Sequence, residues 1–243
     1  MRDRKRTKIA GAAVVLAGIS VAAPAAPAAP LVAFKDTFVR GGTSATNTSG
    51  GSANQLAIKA DTGDANLDSA RKTLLGFNLS AVPVGQVVDQ AALTFNLTGS
   101  LGGTLGTPSK VWEFSVFGLT DQSLDGWTEA ATNWNNAPGN DTTSQINVLP
   151  AKTTLVGTFS LTGEGTGAVT ITGAALDTFL RDDTNGTATF ILVRNTRADM
   201  SNTIIHGITA REGAAGATLE VPEPGSAALL VVGGGILARR RRR

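Results

Sequence analysis

Five of the 11 basic residues in segment 31–220 fall in its first quarter: Lys35, Arg40, Lys59, Arg71 and Lys72. Cations on neighbouring strands line up across a sheet, where they face an anionic polymer, and the planar fork of arginine suits carboxylates. Asp36, Asp61, Asp64 and Asp68 stand among them, so ordinary surface pairing competes with that reading. Trp127 is a candidate of a different kind. It follows Asp125-Gly126, a loop-like context, and an exposed indole stacks on the C–H face of a sugar ring. The competing reading packs Trp127 and Trp134 beneath a loop, with Asn135 and Asn136 making the turn before Pro138. The two readings stand side by side for Trp127, and packing is the stronger for Trp134.

Asp61, Asp64 and Asp68, with Asn66 between them, make an oxygen-rich stretch of the kind that holds calcium. It lacks the spacing and the closing glutamate of an EF-hand, and a solvated acidic loop is the simpler reading. Structural calcium is the one cofactor the sequence leaves open. A catalytic centre is not expected. The chain has no cysteine and one histidine, His206, set between Ile205 and Gly207 in a predicted strand. No G-x-S-x-G, H-E-x-x-H or zinc spacing occurs. Asp182 and Asp183 are adjacent, whereas paired catalytic carboxylates need facing positions across a cleft.

The net charge of +2 is set by the two ends, which hold ten of the 21 basic residues. Segment 31–220 keeps 11 basic and 17 acidic residues, a charge of −6, which argues against nucleic-acid binding. Residues 1–8 are basic and 9–23 apolar, with small-x-small sites at Ala23-Pro24-Ala25 and Ala26-Pro27-Ala28. This pattern predicts a signal peptide over 1–28 and export. Without cysteines, the exported part must draw its stability from its core, with bound ions left open as a further source.

Segment 221–243 reads Val-Pro-Glu-Pro-Gly-Ser, then a mostly apolar run over 225–238, then Arg239, Arg240, Arg241, Arg242 and Arg243. That run has 14 residues, where a helix crossing a ~30 Å hydrocarbon core needs about 20. It spans marginally, with the arginines as the cytoplasmic stop. Pro222 and Pro224 hold the motif extended. The three-part layout resembles the PEP-CTERM sorting signal. That resemblance implies recognition of Pro222, Glu223 and Pro224 by a membrane transpeptidase, an exosortase. It also implies transient anchoring in the inner membrane, then residence at the cell surface or in the extracellular matrix. A plain tail anchor is the competing reading, and both predict export.

The segment between the ends reads as one all-β domain over 31–220. Residues 91–98 alternate Leu93, Phe95 and Leu97 against Thr94, Asn96 and Thr98. Residues 111–118 repeat the pattern with Trp112, Phe114 and Val116 inward, which makes Trp112 a core residue. Further strands are predicted at 32–39, 55–59, 73–79, 155–161, 169–172, 188–194, 203–209 and 218–221. About ten strands in this length predict a two-sheet antiparallel sandwich, jelly-roll-like. One short helix is predicted at Ala174–Arg181, where Leu176, Phe179 and Leu180 share a face. The glycine-rich stretches 41–51 and 99–106 read as mobile surface loops.

Asp36-Thr37-Phe38-Val39-Arg40-Gly41-Gly42, the run 71–80, Trp127-Thr128-Glu129 with Asn133-Trp134-Asn135-Asn136-Ala137-Pro138, and Ile208-Thr209-Ala210-Arg211-Glu212 occur in that order. Together they resemble the DNRLRE-domain family. The resemblance implies a β-sandwich related to carbohydrate-binding modules, some of which bind acidic polysaccharides such as alginate. Phe38 stands where the family usually has tyrosine, and Asn78 where it often has aspartate. The function expected is a non-catalytic polysaccharide-binding module. A structural or adhesive matrix protein without a sugar ligand is the alternative.

Overall fold

The computed structural model describes residues 29–48, 50, 54–82 and 88–222. The expected signal peptide and all of the sorting segment beyond Pro222 lie outside the described residues. Among those described, no helix is long and apolar enough to cross a membrane.

The strands are β1 (Leu31–Val32), β2 (Lys35–Arg40), β3 (Gln55–Ile58), β4 (Arg71–Asn78), β5 (Ala92–Ser100) and β6 (Val111–Leu119). They continue with β7 (Thr153–Thr162), β8 (Thr166–Thr172), β9 (Thr187–Arg194), β10 (His206–Thr209) and β11 (Thr218–Glu220). Helix α1 (Ala174–Arg181) lies where the apolar spacing predicts it. All pairings are antiparallel. One sheet follows the order β1-β11-β5-β10-β3 with β8 on the other side of β5, and the second runs β2-β4-β9-β6-β7. Consecutive strands mostly alternate between the sheets, as in a jelly roll. The strand predicted over 32–39 is two strands: Leu31 and Val32 pair with β11, whereas Lys35 onward pairs with β4.

Leu93, Phe95 and Leu97 of β5 meet Phe77, Trp112, Phe114, Val116 and Phe190 of the second sheet in the main core. The second sheet is buried on its other face too. Val39, Leu74, Ile191 and Val193 point away from the sandwich and are covered by Trp127, Trp134, Ala137 and Val148 of the long loop 120–152. A strand covered on both sides carries no polar alternation, and β9 is buried at seven of its eight positions.

Stretch 99–106 is less free than its composition suggests. Gly99 and Ser100 belong to β5, and the rest is laced to segment 201–205. Leu101 donates to the Ile205 carbonyl, Ile205 to Gly102, Thr203 to Thr104 and Gly106 to Ser201, all at 2.8–2.9 Å. The glycines permit this close backbone approach, since a Cβ at Gly103 would stand 2.4 Å from the Thr203 carbonyl oxygen.

Candidate functional site

Arg40 on β2 and Lys59, just beyond β3, both pair with Arg71 on β4. Directly opposed residues on antiparallel strands share a face, so Arg40, Arg71 and Lys59 form a row of three cations. Lys59 pairs with Asp61 at 3.4 Å. Arg40 and Arg71 form no ion pair with a described carboxylate: Arg40 Nε donates to the Asp68 carbonyl at 2.8 Å and Arg71 Nη1 to the Ser69 carbonyl at 3.0 Å. Burial and the neighbouring Arg40 lower the Arg71 pKa, partly offset by Asp61. Like charges directly opposed on a sheet are unfavourable. Keeping both uncompensated leaves a charge available to a ligand.

Arg71 lines a cleft of about 860 Å³. Gln55 and Ala57 of β3, Thr98 and Ser100 of β5 and Thr209 of β10 line it from the first sheet, and Phe38 joins Arg71 from the second. These positions alternate with Leu56, Leu97 and Ile208, which point into the core, so the cleft lies over the outward face of the first sheet. Ala57 of the lining pairs with the buried Gly207. Any side chain at Gly207 collides with Thr98, whose Oγ1 would lie 2.2 Å from the new Cβ. That hydroxyl is enclosed and has no hydrogen-bond partner. The result is a cleft lined by polar side chains and by the apolar Leu101 and Ile205, with an aromatic edge and a cation at one side.

Lys72 follows Arg71 and faces the other way, as strand alternation requires. It is fully buried under loop 120–152. Its ammonium donates to Asn140 Oδ1 at 2.7 Å and to the carbonyls of Asp141, Ser144 and Asn147 at 3.2, 2.9 and 2.5 Å. It also lies 4.7 Å from the centre of the Trp134 ring. Burial pushes its pKa down to about 7, against the pull of Asp141 and Asp64. Lys72 therefore belongs to the packing of the loop and is removed from the ligand-facing set.

Lys35 repeats the arrangement. Its ammonium donates to the Asp125 and Trp127 carbonyls at 2.5 and 3.0 Å and lies 4.4 Å from the Trp127 ring centre. Trp127 is 9% exposed. Its Nε1–H donates to Thr189 Oγ1 at 2.9 Å, and the Thr189 hydroxyl donates to Asp125 at 2.6 Å. Both loop tryptophans are packed, and Trp127 also lines a second, open cleft with Phe34 and Glu129. Trp112 is core, as expected, with the buried Arg194 guanidinium 4.4 Å from its ring centre. Arg194 also reaches His206, its Nη1 lying 3.2 Å from Nδ1. Nδ1 therefore accepts, and the imidazole proton sits on Nε2, facing the Gly163 carbonyl at 3.4 Å. Burial and the adjacent guanidinium push the His206 pKa down to about 4.

Asp61, Asp64 and Asp68 do not converge on a common point. Asp64 accepts from the Gln145 N–H and pairs with Arg197 at 2.6 Å. Asp61 accepts from Thr62 and pairs with Lys59, while Asp68 accepts from the Thr43 N–H at 2.5 Å. These carboxylates organise loops. Among the described residues a different trio, Asp36, Glu129 and Glu212, brings its ligand atoms within 4.8 Å of one another. Asp36 is fully buried, and burial pushes its pKa up to about 6 despite the Arg211 N–H that it accepts. Sequence spacing gives no sign of this trio, because its members come from three distant segments.

The sequence model of carbohydrate-binding module family 96 matches residues 27–156. No curated protein matches the chain. Two solved structures are similar to it in part. One is a xylan-binding module of family 15, 11% identical, covering 83% of this chain and 96% of that one at a TM-score of 0.38. The other is xylanase 10C of Cellvibrio japonicus, an E385A mutant in complex with xylopentaose, 10% identical at a TM-score of 0.36. The match covers 78% of this chain and spans 27% of the xylanase.

Proposed function

The chain belongs to carbohydrate-binding module family 96, and from that premise we propose that it is a non-catalytic module that binds an acidic polysaccharide in the cleft over the first sheet. The observation that carries this reading is Arg71: it lines the cleft, stands directly opposite Arg40 and forms no ion pair with a described carboxylate. The guanidinium fork holds a uronate carboxylate, with Arg40 beside it. Gln55, Ser100 and Thr209 hydrogen-bond sugar hydroxyls. Phe38 offers an aromatic edge to a sugar ring. In the same proposal the module is exported by its first 28 residues, and an exosortase recognises Pro222, Glu223 and Pro224.

Affinity electrophoresis of the purified protein through gels containing alginate or a neutral glucan tests the binding. Retardation by alginate, weakened by salt and lost in Arg71→Ala with Arg40→Ala, is the expected result. Equal retardation by the neutral glucan removes the acidic specificity. Unchanged retardation of the double variant removes the cleft, and no retardation by any glycan leaves the structural matrix role.

A further inference from the structure

We propose that Asp36, Glu129 and Glu212 form a binding site for a divalent cation of the calcium class. The three carboxylates come from β2, from loop 120–152 and from the connection between β10 and β11. One oxygen of each lies within 4.8 Å of the others. Two oxygens bound to one calcium ion, each at about 2.3–2.6 Å, stand at most about 5 Å apart, so the group is compact enough to share an ion. None of the three lines the polysaccharide cleft, and the inference does not depend on what that cleft binds.

Asp36 carries the argument. Its side chain is fully buried and faces the other two carboxylates. Oδ2 accepts the Arg211 N–H at 2.6 Å, and Oδ1 has no partner. An enclosed carboxylate oxygen without a donor is unfavourable. The guanidinium of Arg211 does not relieve it. Its Nε and Nη2 go to Glu129 at 2.7 and 3.0 Å, and Nη2 also meets Glu212 at 2.9 Å. Three carboxylates thus share the Arg211 guanidinium, with Lys35 acting on Glu129 alone of the three, and the orphaned oxygen is on the buried side. Hard oxygen donors select calcium over softer metals. Glu212 is exposed, so water reaches the group and completes the six to eight ligands that calcium takes. An ion held here ties the first strand of the second sheet to the tryptophan loop and to the segment that leads back into the first sheet.

Terbium, a luminescent substitute for calcium, is added to the full chain with excitation through tryptophan, Trp127 being two residues from Glu129. Sensitised emission that calcium displaces is expected, together with a rise in Tm on adding calcium that a chelator reverses. Glu212→Gln, on the exposed side, weakens the calcium midpoint about tenfold, and Asp36→Asn abolishes it. Asp64→Asn with Asp68→Asn leaves it in place. Absence of both emission and Tm shift at millimolar calcium overturns the site. So does a response that survives Glu212→Gln undiminished, a result that decides the matter even if Asp36→Asn fails to fold. A response lost in the Asp64→Asn, Asp68→Asn variant also overturns it.

Discussion

Arg71 and Lys72 are neighbours in the chain and belong to opposite regions of the molecule. Arg71 looks onto the cleft, partly exposed and without an ion pair to a described carboxylate. Lys72 looks into the packing beneath loop 120–152, fully buried and ringed by four oxygens and an indole. Both regions are built from cations and aromatic rings, but in the loop region the protein itself supplies every partner. Lys35 with Trp127 and Lys72 with Trp134 are closed units, their ammonium hydrogens taken by main-chain and side-chain oxygens. A cation beside an aromatic ring is therefore no sign of a binding site. The sign is a cation that lines a cleft with donors to spare, as Arg71 has beyond its bond to the Ser69 carbonyl.

The comparison breaks most readily at Lys72. Lys72→Met keeps the length of the side chain but leaves buried acceptors without a donor, and a loss of about 3–5 kcal/mol in urea unfolding is expected. If the loss is under about 1 kcal/mol, the loop does not depend on that ammonium. The next effect concerns His206, buried against Trp112 and Arg194. His206 stays neutral when folded, with its pKa near 4, whereas the unfolded chain takes up a proton near 6.5. The unfolded state then binds more protons, so this contribution is complete above pH 6.5 and lost as the pH falls towards 4. Over that interval it converts to about 3 kcal/mol. A His206→Gln variant should show a flatter stability profile between those limits, and a slope equal to that of the parent rules the mechanism out. Smallest is the change at the cleft. Arg71→Gln and Arg40→Gln should each keep stability within about 0.5 kcal/mol or raise it slightly, because a like-charge opposition is relieved. A loss as large as that of Lys72→Met would place Arg71 among the structural cations and erase the contrast.

Much of the sandwich was legible from alternation. The β5 and β6 patterns put Trp112, Phe114, Phe95 and Leu97 inside, and α1 ends where Asp182-Asp183 and Asn185-Gly186 interrupt its apolar face. The split of the first predicted strand was not legible, because Leu31 and Lys35 satisfy the same β pattern while pairing in different sheets. For the cleft, alternation turns Thr98 outward, but nothing in the local pattern says that Arg71 and Phe38 stand beside it. The acidic trio was hidden for the same reason: Asp36, Glu129 and Glu212 are far apart in the chain, whereas the conspicuous Asp61, Asp64 and Asp68 are near one another and bind elsewhere.

By itself the sequence determined what is local. Period-two alternation settled the fold class, the lack of cysteine excluded disulfides, and the spacing of apolar residues placed the helix and the inward side of each clear strand. Only the tertiary structure decided which outward face stays open. Loop 120–152 covers the outer face of the second sheet and leaves that of the first to the cleft, so Lys72 and Trp127 became core while Arg71 remained available. Alternation divides side chains between two faces at short range, but whether a face meets solvent or another segment depends on contacts made across most of the chain.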